Sequence, residues 1–416
     1  MSNPIKYHNT LGQGATTELV LNGFFDAVAP YGPEQDAVLN DTAFALAQKT
    51  ITAWPGYAPT PLQDLPALAR EAGVAALCYK DEGTRFGLGS FKALGGAYAV
   101  LRLLSREIAK RKGIAEPDVA EILSGTHADV LSQITVCCAT DGNHGRSVAW
   151  GARTFGCNCV IFIHATVSEG RKAAIEAYGA EVRRCAGNYD ESVREADETA
   201  KAEGWFVVSD TSYPGYTEIP KDVMQGYELM AAEAADELPE PPTHVFMQTG
   251  VGGAAASVAA HLRRRYGAES TPRIILADPE ESACWLESLR AGRPVAIEGD
   301  LDTLMAGLAC GEISLLAWDV LKPLACAVVS VADDDAVAMM RRLADPLPGD
   351  PAIVAGESAV AGLAAFLALA GNPEAAKAVG LGPHSRVLVF GTEGDSDPEV
   401  YERLVGKSGD AVRAQA

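Results

Sequence analysis

Thr243–Ala256 reads THVFMQTGVGGAAA. The run His244–Gln248 is almost continuously apolar, the pattern of a strand covered on both faces. Glycines then crowd the chain at positions 250, 252 and 253, and an alanine-rich helix is predicted over Ala254–Tyr266. Glycine carries no Cβ, so the backbone N–H groups of Gly250, Val251, Gly252, Gly253 and Ala254 can converge on an anion. The helix N-terminus adds its partial positive charge. A strand, a glycine loop and a helix predict a phosphate site in an open α/β sheet, where ligands bind at the carboxyl ends of strands. The letters also satisfy G-x-G-x-x-G/A at 250, 252 and 255, and Asp278 ends the next predicted strand. A nicotinamide-dependent dehydrogenase is therefore a second reading of the same stretch.

The pattern repeats outward from this point. Further strands are expected at Val74–Tyr79, Ile134–Ala139, Cys159–Ile163, Phe206–Ser209, Arg273–Ala277, Ala327–Val331 and Arg386–Phe390. Helices are expected at Lys92–Arg111, His144–Phe155, Ser168–Tyr178, Ser192–Ala202, Asp222–Ala235 and Glu357–Ala370. Strand alternating with helix predicts an α/β fold with largely parallel sheets. The polar tail after Gly406 reads as frayed. The 416 residues suggest more than one domain, and 48% hydrophobic with 21% charged residues is the profile of a soluble globular protein.

The formal net charge of −21 argues against surfaces built for nucleic acid or anionic lipid. No secretory h-region opens the chain, and the longest apolar run, Ala359 to Ala370, is too short to span a bilayer. Nine cysteines without C-x-x-C spacing, and seven histidines without H-x-x-x-H, predict reduced thiols in a cytoplasmic protein and no metal site.

Three further segments place polar groups where strands should end. Lys92 lies in GSFKALGG among small and apolar residues. A lysine desolvated in such a setting can form a Schiff base. The dehydrogenase reading leaves it unexplained, and a non-catalytic binding protein would have no need of it. At Ala139–Gly145, ATDGNHG, the Thr140 hydroxyl, the Gly142 N–H and the following helix can hold a carboxylate. Asn143 can donate to a phenolate-like oxygen. Asp141 reads on spacing as a helix cap, and His144 as a structural histidine. Thr392, in FGTEGDSD, follows an apolar strand and can donate to a neutral ring nitrogen.

Together these residues resemble the fold-type II family of pyridoxal-phosphate enzymes, and within it the diaminopropionate ammonia-lyases. The resemblance is carried by KDEGTRFGLGSFKALGGAYA (80–99), ATDGNHGRSVAW (139–150), SDTSYPGYTEIP (209–220), THVFMQTGVGG (243–253), MAGLACGE (305–312), DPAIVAGESAVAGL (350–363) and GTEGDSD (391–397). It implies two α/β domains with pyridoxal 5'-phosphate between them, one of residues 1–96 and 218–416 and a smaller one of 97–217. It implies that Lys92 holds the cofactor covalently and that Gly250–Ala254 hold its phosphate. Asn143 would lie at its phenolic oxygen and Thr392 at its ring nitrogen. Asp141 and Asp210 become acid/base candidates, with Thr140, Gly142 and Asp210 contacting substrate. The implied reaction is α,β-elimination on a small amino acid, most closely 2,3-diaminopropionate, by a homodimer. The chain departs from the family at Gly89-Ser90, where Asn-Ala is frequent, and at Tyr213-Pro214, where Trp-Glu is frequent. The second departure bears on the choice of substrate. Cys284 and Cys310 flank matched segments and are expected near each other as thiols.

Overall fold

A computed structural model describes residues 4–12, 14–140, 142–187 and 189–415. The strands are β1 (Ile5–His8), β2 (Thr16–Leu21), β3 (Leu62–Asp64), β4 (Ala76–Asp81), β5 (Thr135–Ala139), β6 (Asn158–Ile163), β7 (Glu181–Arg184), β8 (Phe206–Val207), β9 (His244–Gln248), β10 (Arg273–Pro279), β11 (Ala325–Val331) and β12 (Arg386–Gly391). The chain divides into two compact units. One comprises Met1–Asn40, Pro59–Thr84 and Met230–Ala416; the other comprises Asp41–Ala58 and Arg85–Leu229.

The first unit holds an eight-stranded sheet in the order β1-β2-β11-β10-β9-β12-β4-β3. Its centre, from β11 to β4, is parallel, whereas β1, β2 and β3 pair antiparallel at the edges. Every residue of β9 and β11 is buried, which explains their continuous apolar sequence. The helix Ala361–Ala370 packs on β9, β10 and β11, and Cys284–Ala291 packs on β10 and β11. Close approach is possible because residue 362 is glycine: a Cβ there would sit 2.8 Å from the Phe246 carbonyl. Register pairs Gln248 with Ala277, and Phe246 with Val389. The carboxyl ends of β9, β10 and β12 therefore lie along one edge of the sheet, and the glycine loop and Thr392 both follow from it.

The second unit holds a parallel four-stranded sheet, β7-β6-β5-β8. The helices Ala93–Lys112 and Asn143–Phe155 cross through small residues. A Cβ at Gly151 would lie 2.8 Å from the Ala97 Cα, and one at Gly96 would strike the Ser147 hydroxyl at 2.0 Å. The glycines after Lys92 thus serve helix packing, where the sequence suggested a pocket around the lysine.

The α/β class and the parallel sheet centres agree with the sequence. Short edge strands were not anticipated, because β1 and β7 are only partly covered and lack an apolar run. The helix expected from Glu357 starts at Ala361. The tail is not frayed through residue 415. It forms a helix, Gly409–Arg413, capped by the Ser408 hydroxyl, with Val412 buried and Arg413 paired to Asp395 and Asp410. Polarity masked a cap and two ion pairs.

Candidate active site

Lys92 immediately precedes the helix Ala93–Lys112. Its Nζ donates to Asp210 Oδ2 at 2.6 Å and lies 5.3 Å from the centre of the Phe91 ring and 5.9 Å from that of Tyr227. The two rings also contact one another, 4.6 Å apart. The amine therefore has one face toward aromatic surface and one toward a carboxylate. Lys80, in the same matched segment, is more deeply buried, yet its Nζ is surrounded by the Thr60 carbonyl, Glu233 and Glu237 at 2.6–3.1 Å. Those acceptors engage its donors, so it is committed to ion pairs within the first unit.

Asp210 follows β8, and Tyr216 braces that segment. The Ser209 N–H donates to the Tyr216 hydroxyl, which in turn donates to the Val207 carbonyl. Burial alone would raise the Asp210 pKa. The nearby charges of Lys92 and His144, and the hydrogen bond from Lys92, outweigh burial and hold the carboxyl well below the usual carboxylate range. His144 Nδ1 lies 3.8 Å from Asp210, and its Nε2 meets the Val208 carbonyl at 2.8 Å. A residue read from sequence as structural thus faces the carboxylate.

The turn before the helix Asn143–Phe155 is organised by Thr140. Its Oγ1 accepts from the N–H groups of Gly142 and Gly145, at 3.1 and 3.2 Å. A Cβ at Gly145 would collide with the Thr140 methyl at 2.2 Å, so only glycine lets the helix begin there. Asn143 is its first residue. Asp141 lies outside the described residues.

In the first unit, the glycine loop turns its carbonyls inward. Gly250 O accepts from the Trp285 indole, Val251 O from the Ser314 N–H, Gly252 O from the Ala256 N–H and Gly253 O from the Ser257 hydroxyl. The N–H groups of the first turn of the helix Gly253–Ser270 have no intrahelical acceptor, as at any helix start. Gly252 adopts φ +96°, and a Cβ on it would meet Trp285 at 2.2 Å. Carbonyls tied behind and amides at a helix start suit a phosphate. Thr392 is buried directly after β12, and Gln248 Nε2 donates to its Oγ1 at 2.7 Å. Cys284 and Cys310 are thiols that both approach Gly250, as expected.

Asp278 does not serve as a ribose ligand. It is fully buried, one oxygen accepts from Thr249 Oγ1, and the other from the Leu286 N–H at 2.9 Å. Burial, opposed by these hydrogen bonds, pushes its pKa up to about 7.

A lysine amine set between a carboxylate and aromatic rings in one unit, and a glycine loop at a helix start in the other, are features that a phosphorylated aldehyde cofactor would use. Residues 53–390 match the model of the pyridoxal-phosphate dependent enzymes, and the chain belongs to that family. Diaminopropionate ammonia-lyase of Escherichia coli strain K12 is 38% identical over 390 residues, which span 92% of this chain and 96% of that protein. Two solved structures of the Escherichia coli diaminopropionate ammonia lyase are similar. The complex with D-serine has a TM-score of 0.85 at 34% identity and covers 98% of this chain and 100% of its own. The complex with an aminoacrylate-PLP azomethine reaction intermediate has a TM-score of 0.83 at 35% identity, covering 96% and 98%. The nicotinamide reading falls with the family match and with the enclosed Asp278.

Proposed function

We propose that this chain catalyses α,β-elimination on 2,3-diaminopropionate, giving pyruvate and two ammonia. The observation that carries the reading is the Lys92–Asp210 pair, set in a chain similar over nearly its whole length to diaminopropionate ammonia-lyase. Lys92 is the residue that holds pyridoxal phosphate covalently. Gly250–Ala254 hold the phosphate, supported by the inward carbonyls; Asn143 lies at the phenolic oxygen and Thr392 at the ring nitrogen. When bound, the cofactor spreads the negative charge left at the substrate Cα.

The remaining work falls to the chain. Thr140, Gly142 and the helix beginning at Asn143 orient the substrate carboxylate, using the helix N-terminus as a partial positive charge. As a neutral amine, Lys92 would be the base that removes the Cα proton of the L-isomer. Asp210 then serves as the acid. The Lys92 charge is the largest of the influences that lower its proton affinity, so loss of that charge shifts the balance toward burial, which raises it. The 2.6 Å hydrogen bond is the path along which the proton passes from Lys92 to Asp210 and on to the β-amine. Protonation is needed because ammonia leaves far more readily than an amide anion. Aminoacrylate hydrolyses to pyruvate and the second ammonia after release. Asp141 is the base for the D-isomer, whose Cα hydrogen points to the opposite face.

Among the described residues no helix is long and apolar enough to cross a membrane. A cytoplasmic homodimer is proposed on the family resemblance. The test is product stoichiometry with purified holoenzyme. Two ammonia per pyruvate from diaminopropionate are expected. Turnover of serine with diaminopropionate inert would replace this reading by that of a dehydratase acting on another β-substituted amino acid.

A further inference from the structure

Gln248 ends β9 in a buried position, and its side chain crosses to the end of the neighbouring strand β12. Nε2 meets three oxygens: Thr392 Oγ1 at 2.7 Å, the Phe390 carbonyl at 2.8 Å and the Ala359 carbonyl at 3.2 Å. Carbonyl oxygens only accept hydrogen bonds. Reversing the amide would set Oε1 against two of them, so this end must be the NH2 group. On the other side a Cβ at Gly362 would lie 3.0 Å from Oε1, so the helix Ala361–Ala370 closes against the amide and holds it.

The consequence is directional. With two protons on Nε2 and its shortest contacts to Thr392 and Phe390, Thr392 Oγ1 receives one of them. A hydroxyl that accepts from Gln248 has its own proton free to donate elsewhere. We propose that Gln248 is a positioning residue that makes Thr392 a hydrogen-bond donor toward the cofactor's ring nitrogen and so keeps that nitrogen an unprotonated acceptor. The proposal rests on the reading that Thr392 faces the ring nitrogen. An unprotonated nitrogen withdraws electrons weakly, so negative charge remains at Cα and expels the β-amine before it is reprotonated elsewhere on the cofactor. The amide thereby contributes to selecting elimination over transamination.

The experiment reads the nitrogen directly. Holoenzyme is prepared with pyridoxal phosphate carrying 15N in the ring, and its chemical shift is recorded for the parent protein, Thr392→Val, Thr392→Ser and Gln248→Met. The parent is expected to show a neutral nitrogen that accepts a hydrogen bond. Thr392→Ser keeps that shift. Thr392→Val moves it toward the value without a hydrogen bond, and Gln248→Met moves it in the same direction. Loss of one oriented neutral hydrogen bond also weakens cofactor affinity about two- to tenfold in the Gln248 variant. Should Gln248→Met fail to fold, Gln248→Asn keeps an amide but shortens its reach, and the same movement is expected. A shift that moves in Thr392→Val but stays fixed in the folded Gln248 variant overturns the role of Gln248 and leaves the lyase reading intact. A shift that stays fixed in Thr392→Val removes Thr392 from the ring nitrogen, and the proposal with it.

Discussion

Around Lys92 the chemistry lies in side chains, while around Gly250–Ala254 it lies in the backbone. The first region sets an ammonium against a carboxylate and two aromatic rings. The second removes side chains so that amides are accessible, and fixes its carbonyls with an indole and a serine. The contrast shows in the two carboxylates. Asp210 is held low because a cation sits beside it, and Asp278 is pushed up because burial is opposed only by hydrogen bonds. A reacting group has to change charge during turnover, so it needs a partner that can change with it. On the proposed reading the loop holds a phosphate, which does not change during the reaction, so fixed dipoles suffice there.

Lys92→Ala strikes the first region hardest. Covalent cofactor attachment should disappear, and elimination should fall by at least the roughly 10²–10⁴-fold worth of a general base. Borohydride reduction followed by peptide mapping checks it. Label found on Lys80 in the parent protein would break the assignment of the reactive amine. Next in size is Asp141→Asn, which keeps volume and capping ability but removes a base. D-isomer turnover should drop by about 10²–10⁴-fold while measurable L-isomer turnover survives. Equal losses on both isomers would make Asp141 structural.

Gly252→Ala tests the backbone region. A left-handed conformation costs an alanine about 1–2 kcal/mol, and the clash with Trp285 adds about 1–3 kcal/mol. Urea denaturation should show the loss, and cofactor affinity should fall. An unchanged dissociation constant would free the loop from its phosphate role.

The smallest effects are pH slopes of opposite sign. The Asp210 pKa is depressed in the folded state. Its stabilisation is full above the unfolded value of about 4 and is lost as pH falls below it. The Asp278 pKa is raised, so its contribution is full below about pH 4 and is lost as pH rises toward about 7. The stability difference between parent and Asp210→Asn should therefore shrink in acid. The difference between parent and Asp278→Asn should shift against the parent as pH rises from about 4 to about 7. Parallel slopes in denaturation midpoints would erase the distinction between the two regions.

Much of this was legible in the residues, and the exceptions share a cause. Strands β9, β11 and β12 announce themselves because burial on both faces leaves no polar alternation. The glycine loop is legible because glycine is the requirement itself. Lys92 stood out by its small and apolar neighbours in GSFKALGG, whereas Asp210 emerged only through the family resemblance. His144, Tyr216, Tyr227 and Gln248 were not picked out for the roles they take, because each acts through a contact between segments remote in sequence. Gln248 reaches Thr392 across 144 positions. Gly95 and Gly96 misled for the same reason: their neighbours, Tyr227 and Ser147, belong to other helices.

Trp285 also has an optical consequence. Its indole is wholly enclosed, donates to Gly250 O and lies where a Gly252 side chain would be. It is thus an intrinsic fluorophore built into the wall of the glycine loop. If the loop holds the cofactor phosphate as proposed, its occupancy would change the field on that indole, and the bound chromophore would drain its excitation. Subtracting the emission of Trp285→Phe from that of the parent isolates one tryptophan among five. The loop can then be followed in real time as cofactor arrives and departs, without a label and without turnover.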